Sequence, residues 1–198
     1  MAGMALRRLA GPLVGMVLLA ACAAVHVPFA KLTPDGATLK EHALDPAERG
    51  AYTQVSGSAG VDGAEALYYL GLDKAAAGDW DSAAALWRGD VIAHRGSGWD
   101  RLATYQVARF LERQSQGEQA FLWYQSLLTG TAVDGLPGLS QAACLRLIQG
   151  MNEADTRALL AGRAGPQFTA PLRIRLLWLA LAAGRMEEVQ RGMDKYLL

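Results

Sequence analysis

The chain has 198 residues, 52% of them hydrophobic and 19% charged, with 19 basic and 19 acidic side chains. This composition suits one globular core with a leader and a tether. The even charge balance excludes a nucleic-acid binder, which needs a basic face to displace counterions, and excludes polybasic attachment to anionic lipid.

The first element is a leader. Arg7 and Arg8 stand before an apolar run, residues 13–19, that is too short to cross a bilayer as a helix, which takes about 20 apolar residues. Leu19-Ala20-Ala21-Cys22 follows. Positive end, apolar stretch and this tetrapeptide, in that order, resemble the signal and lipobox of bacterial lipoproteins. The resemblance implies cleavage after Ala21 and a diacylglycerol on the Cys22 thiol. Several acyl chains, each buried CH2 contributing about 0.8 kcal/mol, then anchor the mature chain durably. An ordinary signal peptide ending in small residues is the competing reading. Ala23, in place of an Asp that would retain an enteric lipoprotein at the inner membrane, points to the outer membrane and a periplasm-facing protein; the inner membrane stays open. Without residues 1–21 the chain carries 17 basic and 19 acidic groups, a formal net of −2.

Residues 22–63 read as the lipid-bearing Cys22 and a flexible linker. They hold Pro28, Pro34 and Pro46, a turn signal at Thr33-Pro34-Asp35-Gly36, and Ser56-Gly57-Ser58-Ala59-Gly60 at the end. As a coil the linker would reach on the order of 35 Å. Asp45-Pro46-Ala47-Glu48 has the pattern to cap one short helix, with Asp45 as N-cap.

From residue 64 the pattern becomes helical. Residues 64–77 form one predicted helix, Gly78-Asp79 breaks it, and residues 80–94 form the next. Leu67, Leu70, Gly71, Gly78, Trp80, Ala83 and Trp87 fall in the order and spacing of the tetratricopeptide repeat, which this segment resembles. Small residues at Gly71 and Ala83 would let two helices cross closely, with Leu70 and Trp87 filling the space beside them. Thr104, Val107, Ala108, Ala120 and Tyr124 stand 37 residues after Leu67, Leu70, Gly71, Ala83 and Trp87. The family period is about 34, so the loop around residues 95–99 is longer, and a Sel1-like subtype stays open. Two weaker copies follow. Leu139, Ala142, Ala143 and Gly150 fit one, although Asp155 replaces its crossing alanine. Leu176, Gly184, Val189 and Met193 fit the other, although Arg173 stands at an apolar position. The resemblance implies an all-α chain, a right-handed α-solenoid of about four helical hairpins over residues 64–198, with turn glycines at Gly78, Gly150 and Gly184 and Gly117 near the second turn. A plain helical bundle is the alternative. The apolar end at Tyr196, Leu197 and Leu198 leaves the last hairpin without a polar cap.

No catalytic or metal-binding pattern stands out. His26, His42 and His94 lack metal-ligand spacing. Ser97 and Asp90 beside His94 make a poor triad, and Asp79 and Asp81 read as helix-capping carboxylates. No cofactor, small-molecule substrate or enzymatic reaction is expected. Cys144, in an apolar run, reads as a buried small hydrophobe; a reactive thiol is the other reading. The better candidate is a surface. In tetratricopeptide arrays the first helix of each hairpin lines a concave groove for a peptide or partner helix. By position that groove would present Glu65, Tyr68 and Leu72, then Tyr105, Arg109 and Glu112, then Ile174 and Trp178, with Trp80 and Trp87 in the core. The implied function is an outer-membrane-tethered adaptor that gathers protein partners of an envelope assembly. The alternative is a cell-wall glycan-binding protein or hydrolase accessory, with sugars stacking on Tyr68, Tyr105 and Trp178.

Overall fold

The computed structural model describes residues 43–129, 133 and 135–197. The expected leader, Cys22, His26, His42 and the first half of the expected linker lie outside the described residues. All regular structure within them is helical.

Helix α1, Pro46–Val55, starts where the sequence places a cap: Asp45 accepts from the Glu48 amide at 2.8 Å and Glu48 from the Asp45 amide at 3.0 Å, with Pro46 in the first turn. It lies inside the expected linker, yet it is tied to α2, Val61–Ala76. Arg49 forks onto Asp73 at 2.7 and 2.9 Å, Asp73 also accepts from the Leu44 amide at 3.0 Å, and the Tyr52 ring stacks on Tyr69 with centroids 5.4 Å apart. The packed helices therefore begin ahead of residue 64.

After a turn in which Gly78 takes φ +84°, α3 runs Trp80–Ala93, its N-cap Asp79 accepting from the Ser82 amide at 3.2 Å. The helices α2 and α3 meet closely. A Cβ built on Gly71 would lie 2.3 Å from the Trp87 indole nitrogen, so only glycine fits beneath that ring. The indole N–H donates to the Tyr68 carbonyl at 3.2 Å, and both Trp87 and Ala83 are fully buried. Helix α4, Trp99–Arg113, and α5, Gly117–Gln125, form the next pair. Their turn falls directly before Gly117, the first residue of α5, and it is Ser115 that takes the left-handed conformation (φ +59°).

Helix α6, Leu136–Gly150, ends without a left-handed glycine; Gly150 is its last helical residue. Asn152 then caps the short α7, Glu153–Ala158, by accepting from the Asp155 amide at 2.8 Å. Asp155 therefore serves the helix start, and the neighbouring Thr156 is the buried residue. A π-helical turn, Leu159–Arg163, follows and breaks at Gly162 (φ +115°). Past a short 3-10 turn at Pro166–Phe168, α8 runs Thr169–Ala182; Gly184 (φ +72°) then turns the chain into α9, Met186–Leu197. Consecutive helices pack on one another except α6 and α7, which barely touch; α2 also packs on α4, α6 on α8, and α7 on α5 and α8. One continuous apolar core runs from Tyr68, Trp87 and Trp99 through Phe121 and Tyr124 to Phe168 and Leu172.

Candidate functional site

The expected groove residues divide sharply by burial. Tyr68 is 2% exposed and Tyr105 6%, and Leu72 is equally sealed. All three were expected at a groove surface, and the structure corrects that placement. The reason is geometric. Helix α2 turns Gly71 toward α3, as its pattern requires, but the adjoining side meets α4. There the Tyr68 hydroxyl accepts from Gln106 Nε2 at 3.2 Å, and the Tyr68 ring lies 5.4 Å from Trp99 and 5.7 Å from Tyr69. Tyr105 packs edge-on against Tyr124 at 5.3 Å. Burial raises the hydroxyl pKa of Tyr68, Tyr105 and Tyr124, so all three stay neutral core phenols.

Glu65, Arg109 and Glu112 are half-buried. Burial pushes the Glu65 carboxyl up, helped by Asp62. Glu112 is committed within the fold: both its oxygens accept from the Arg146 guanidinium on α6, at 2.8 and 2.9 Å, and it accepts a hydrogen bond from the Tyr124 hydroxyl at 3.1 Å. This bidentate clamp joins α4 to α6 and spends the charge that a partner would otherwise meet.

Trp178 stands apart. It is 62% exposed and Ile174 is 54% exposed, and Leu181 completes an apolar line at i, i+4 and i+7 on α8. Met186 and Met193 on α9 add exposed apolar area. The spacing of Ile174, Trp178 and Leu181 is visible in the sequence, although Leu181 is absent from the expected groove set.

Trp87 is in the core. Trp80 is half-buried, with the Arg113 guanidinium 4.1 Å above its ring. Cys144 is fully buried with its thiol 3.7 Å from the Phe121 carbonyl, and burial pushes its pKa up to about 12. A thiol so protonated and enclosed behaves as a small hydrophobe.

His94 and Asp90 do meet. His94 Nδ1 lies 3.0 Å from a carboxylate oxygen of the fully buried Asp90, and Nε2 lies 3.2 Å from the Ser58 carbonyl. Ser97 takes no part, its hydroxyl accepting instead from the Asp100 amide at 3.2 Å. Both ring nitrogens are thus occupied in joining the α1–α2 turn to the end of α3. Burial pushes the Asp90 carboxyl up, against the pull of His94. The same turn demands glycine at position 63, where a Cβ would fall 2.0 Å from the Ser58 carbonyl oxygen.

Among the described residues no helix is long and apolar enough to cross a membrane, and no group of three His, Cys, Asp or Glu side chains is placed to hold a metal ion. No protein-family model, curated protein or solved structure matches this chain.

Proposed function

We propose that the chain is a lipid-anchored, periplasm-facing adaptor of tetratricopeptide-like build that docks a protein partner on the outer face of α8. The observation that carries this reading is the apolar line Ile174–Trp178–Leu181, left open to solvent on a helix whose other sides are packed. Tryptophan in such a setting is a typical interface anchor, because it offers large rigid area at small entropic cost. The solenoid reading is supported by the packed pairs α2/α3, α4/α5 and α8/α9, and by the burial of Ala83 and Ala120 at matching positions, whereas α6 and α7 barely touch. The anchor rests on Arg7, Arg8 and the lipobox-like Leu19-Ala20-Ala21-Cys22.

The docking surface thus moves from Tyr68, Leu72 and Tyr105 to Trp178 and its neighbours. With two of its three stacking rings buried, a glycan platform would rest on Trp178 alone. Two experiments test the proposal. Cys22→Ser should abolish labelling by a radioactive fatty acid; undiminished label would remove the anchor. Mature protein should co-purify a discrete envelope protein, Trp178→Ala should lose it, and neither should co-sediment with peptidoglycan. Sedimentation that depends on Trp178 would instead favour the glycan reading.

A further inference from the structure

At the end of α3 the His94 ring bridges two acceptors, at a place independent of the α8 surface. Its Nδ1 lies 3.0 Å from Oδ1 of Asp90, and its Nε2 lies 3.2 Å from the Ser58 carbonyl in the α1–α2 turn. Asp90 is fully buried, and its second carboxylate oxygen, Oδ2, has no hydrogen-bond partner among the described residues. Gly63 of α2 leaves room for this approach, since a Cβ on it would stand 3.2 Å from Nε2. A neutral imidazole has one N–H, yet this ring faces a carboxylate and a carbonyl, and neither has a hydrogen to give unless the carboxylate is protonated. Both contacts are therefore hydrogen bonds only while the pair holds one proton more than a neutral histidine and an ionised aspartate carry. Either His94 is imidazolium and donates twice, or Asp90 is a carboxylic acid that donates to Nδ1 while Nε2–H donates to Ser58.

The surroundings favour that extra proton. Burial raises the Asp90 carboxyl against the pull of His94, and the charge of Asp100 on α4 raises it further. Asp100 is itself fixed, accepting from the Gly96 and Gly98 amides at 2.9 and 3.1 Å. On α2, Asp62 acts on Glu65, and Glu65 on Tyr52 and Tyr69, rather than on the pair. Arg95, next in the chain, is exposed. A carboxyl raised in the folded state contributes stability below its unfolded pKa, about 3.9, and that contribution is lost as pH rises through the higher folded value.

We propose that His94 and Asp90 form a proton-dependent latch on α1, which ties the α1–α2 turn to the end of α3 while the pair holds its shared proton and lets the turn go when that proton leaves to solvent. After the loss, Nδ1 keeps the one N–H for the ionised Asp90, and the bare Nε2 faces the Ser58 carbonyl, lone pair against lone pair. The turn is the side that yields, because Asp90 is enclosed whereas Ser58 is exposed. Helix α1 loosens with it, since it buries no residue of its own. The Arg49–Asp73 pair works in the opposite sense, weakening in acid, so the hold on α1 is strongest between the two.

The test follows amide protection on the full chain at pH 5 and pH 8, taken relative to the intrinsic rate at each pH. Protection of residues 46–60 should fall about tenfold or more at pH 8 while that of α4 holds. Asp90→Asn should abolish the fall, because its side-chain amide donates to Nδ1 with no titratable proton and leaves Nε2–H for Ser58. Nitrogen NMR of His94 needs no variant and keeps the test decisive if Asp90→Asn folds poorly: Nε2 should carry hydrogen at pH 5 and be bare at pH 8, with the same midpoint as the fall in protection. Equal protection of residues 46–60 at both values overturns the proposal, as does an Nε2–H that persists at pH 8. So does a folded Asp90→Asn variant that keeps the fall, or that loses protection equally at both values as a merely structural pair would.

Discussion

Helices α4 and α8 reverse the usual relation between polarity and burial. Helix α4 reads Trp-Asp-Arg-Leu-Ala-Thr-Tyr-Gln-Val-Ala-Arg-Phe-Leu-Glu-Arg, with five charged side chains, and buries ten of its 15 residues. Helix α8 is far more apolar, with Leu172, Ile174, Leu176, Leu177, Trp178, Leu179 and Leu181 in succession, yet only two of its 14 residues are buried. Position in the stack explains the difference. Helix α4 is enclosed by α2, α3 and α5, whereas α8 packs on α6, α7 and α9 and still leaves the line Ile174, Trp178 and Leu181 open to solvent. A helix apolar all round is ordinarily a buried one. Among the described residues, the apolar surplus on α8 has no packing role within the fold, and the proposed docking partner would give it one.

The comparison breaks most visibly at two tryptophans. Trp87→Ala removes a fully buried indole wedged over Gly71 and should cost about 3–5 kcal/mol. Trp178→Ala removes an exposed one and should change stability by about 0.5 kcal/mol or less. Thermal melts of the two variants check this directly; a Trp178→Ala variant that melts as early as Trp87→Ala would mean that α8 is packed after all. A second contrast lies within α3. Ala83→Leu forces a larger side chain into a fully buried crossing point and should cost about 1–3 kcal/mol. Ala85→Leu, on the exposed side, should be close to neutral. Equal losses would show that the register of α3 against α2 is wrong.

The smallest expected effect concerns α1, which buries no residue and is held by Arg49, Tyr52 and the turn at Ser58. The Arg49 hydrogen bond holds the Asp73 carboxyl below its ordinary value. A carboxyl depressed in the folded state stabilises above its unfolded pKa, about 3.9, and that contribution is lost as pH falls through the lower folded value. Acidification from pH 5 toward 2 should therefore lower the protection of amides in residues 46–55, taken relative to the intrinsic rate at each pH, ahead of the core, and Arg49→Met should show the low protection already at pH 5. Equal protection in both proteins at pH 5 would assign the hold on α1 to Tyr52 and the turn alone.

Much of the helical frame is legible in the sequence. Gly78 and Gly184 mark turns because both take positive φ, and Asp45 and Asp79 mark helix starts through their side chains. The close approach of Gly71 to Trp87 is what the repeat resemblance implies, and the residue sizes agree with it. The turn before α5 is marked only by its neighbour Gly117, because a serine, Ser115, takes the left-handed position itself. The site is legible only in part, for one physical reason. Helical periodicity identifies the face that meets the hairpin partner, but not that the following hairpin covers the face beyond it. That second contact buries Tyr68 through Gln106 and Trp99. The Arg49–Asp73 and Arg146–Glu112 pairs, 24 and 34 residues apart, carry no local signal at all.

The most direct test of the docking face is a photo-cross-linking amino acid placed at position 178 of the full chain in cells, beside the same group at position 92 on α3, where Ile92 is also exposed. The account predicts a discrete protein adduct from position 178 and none of that mass from position 92. No adduct at 178, or the same adduct from both positions, would contradict it.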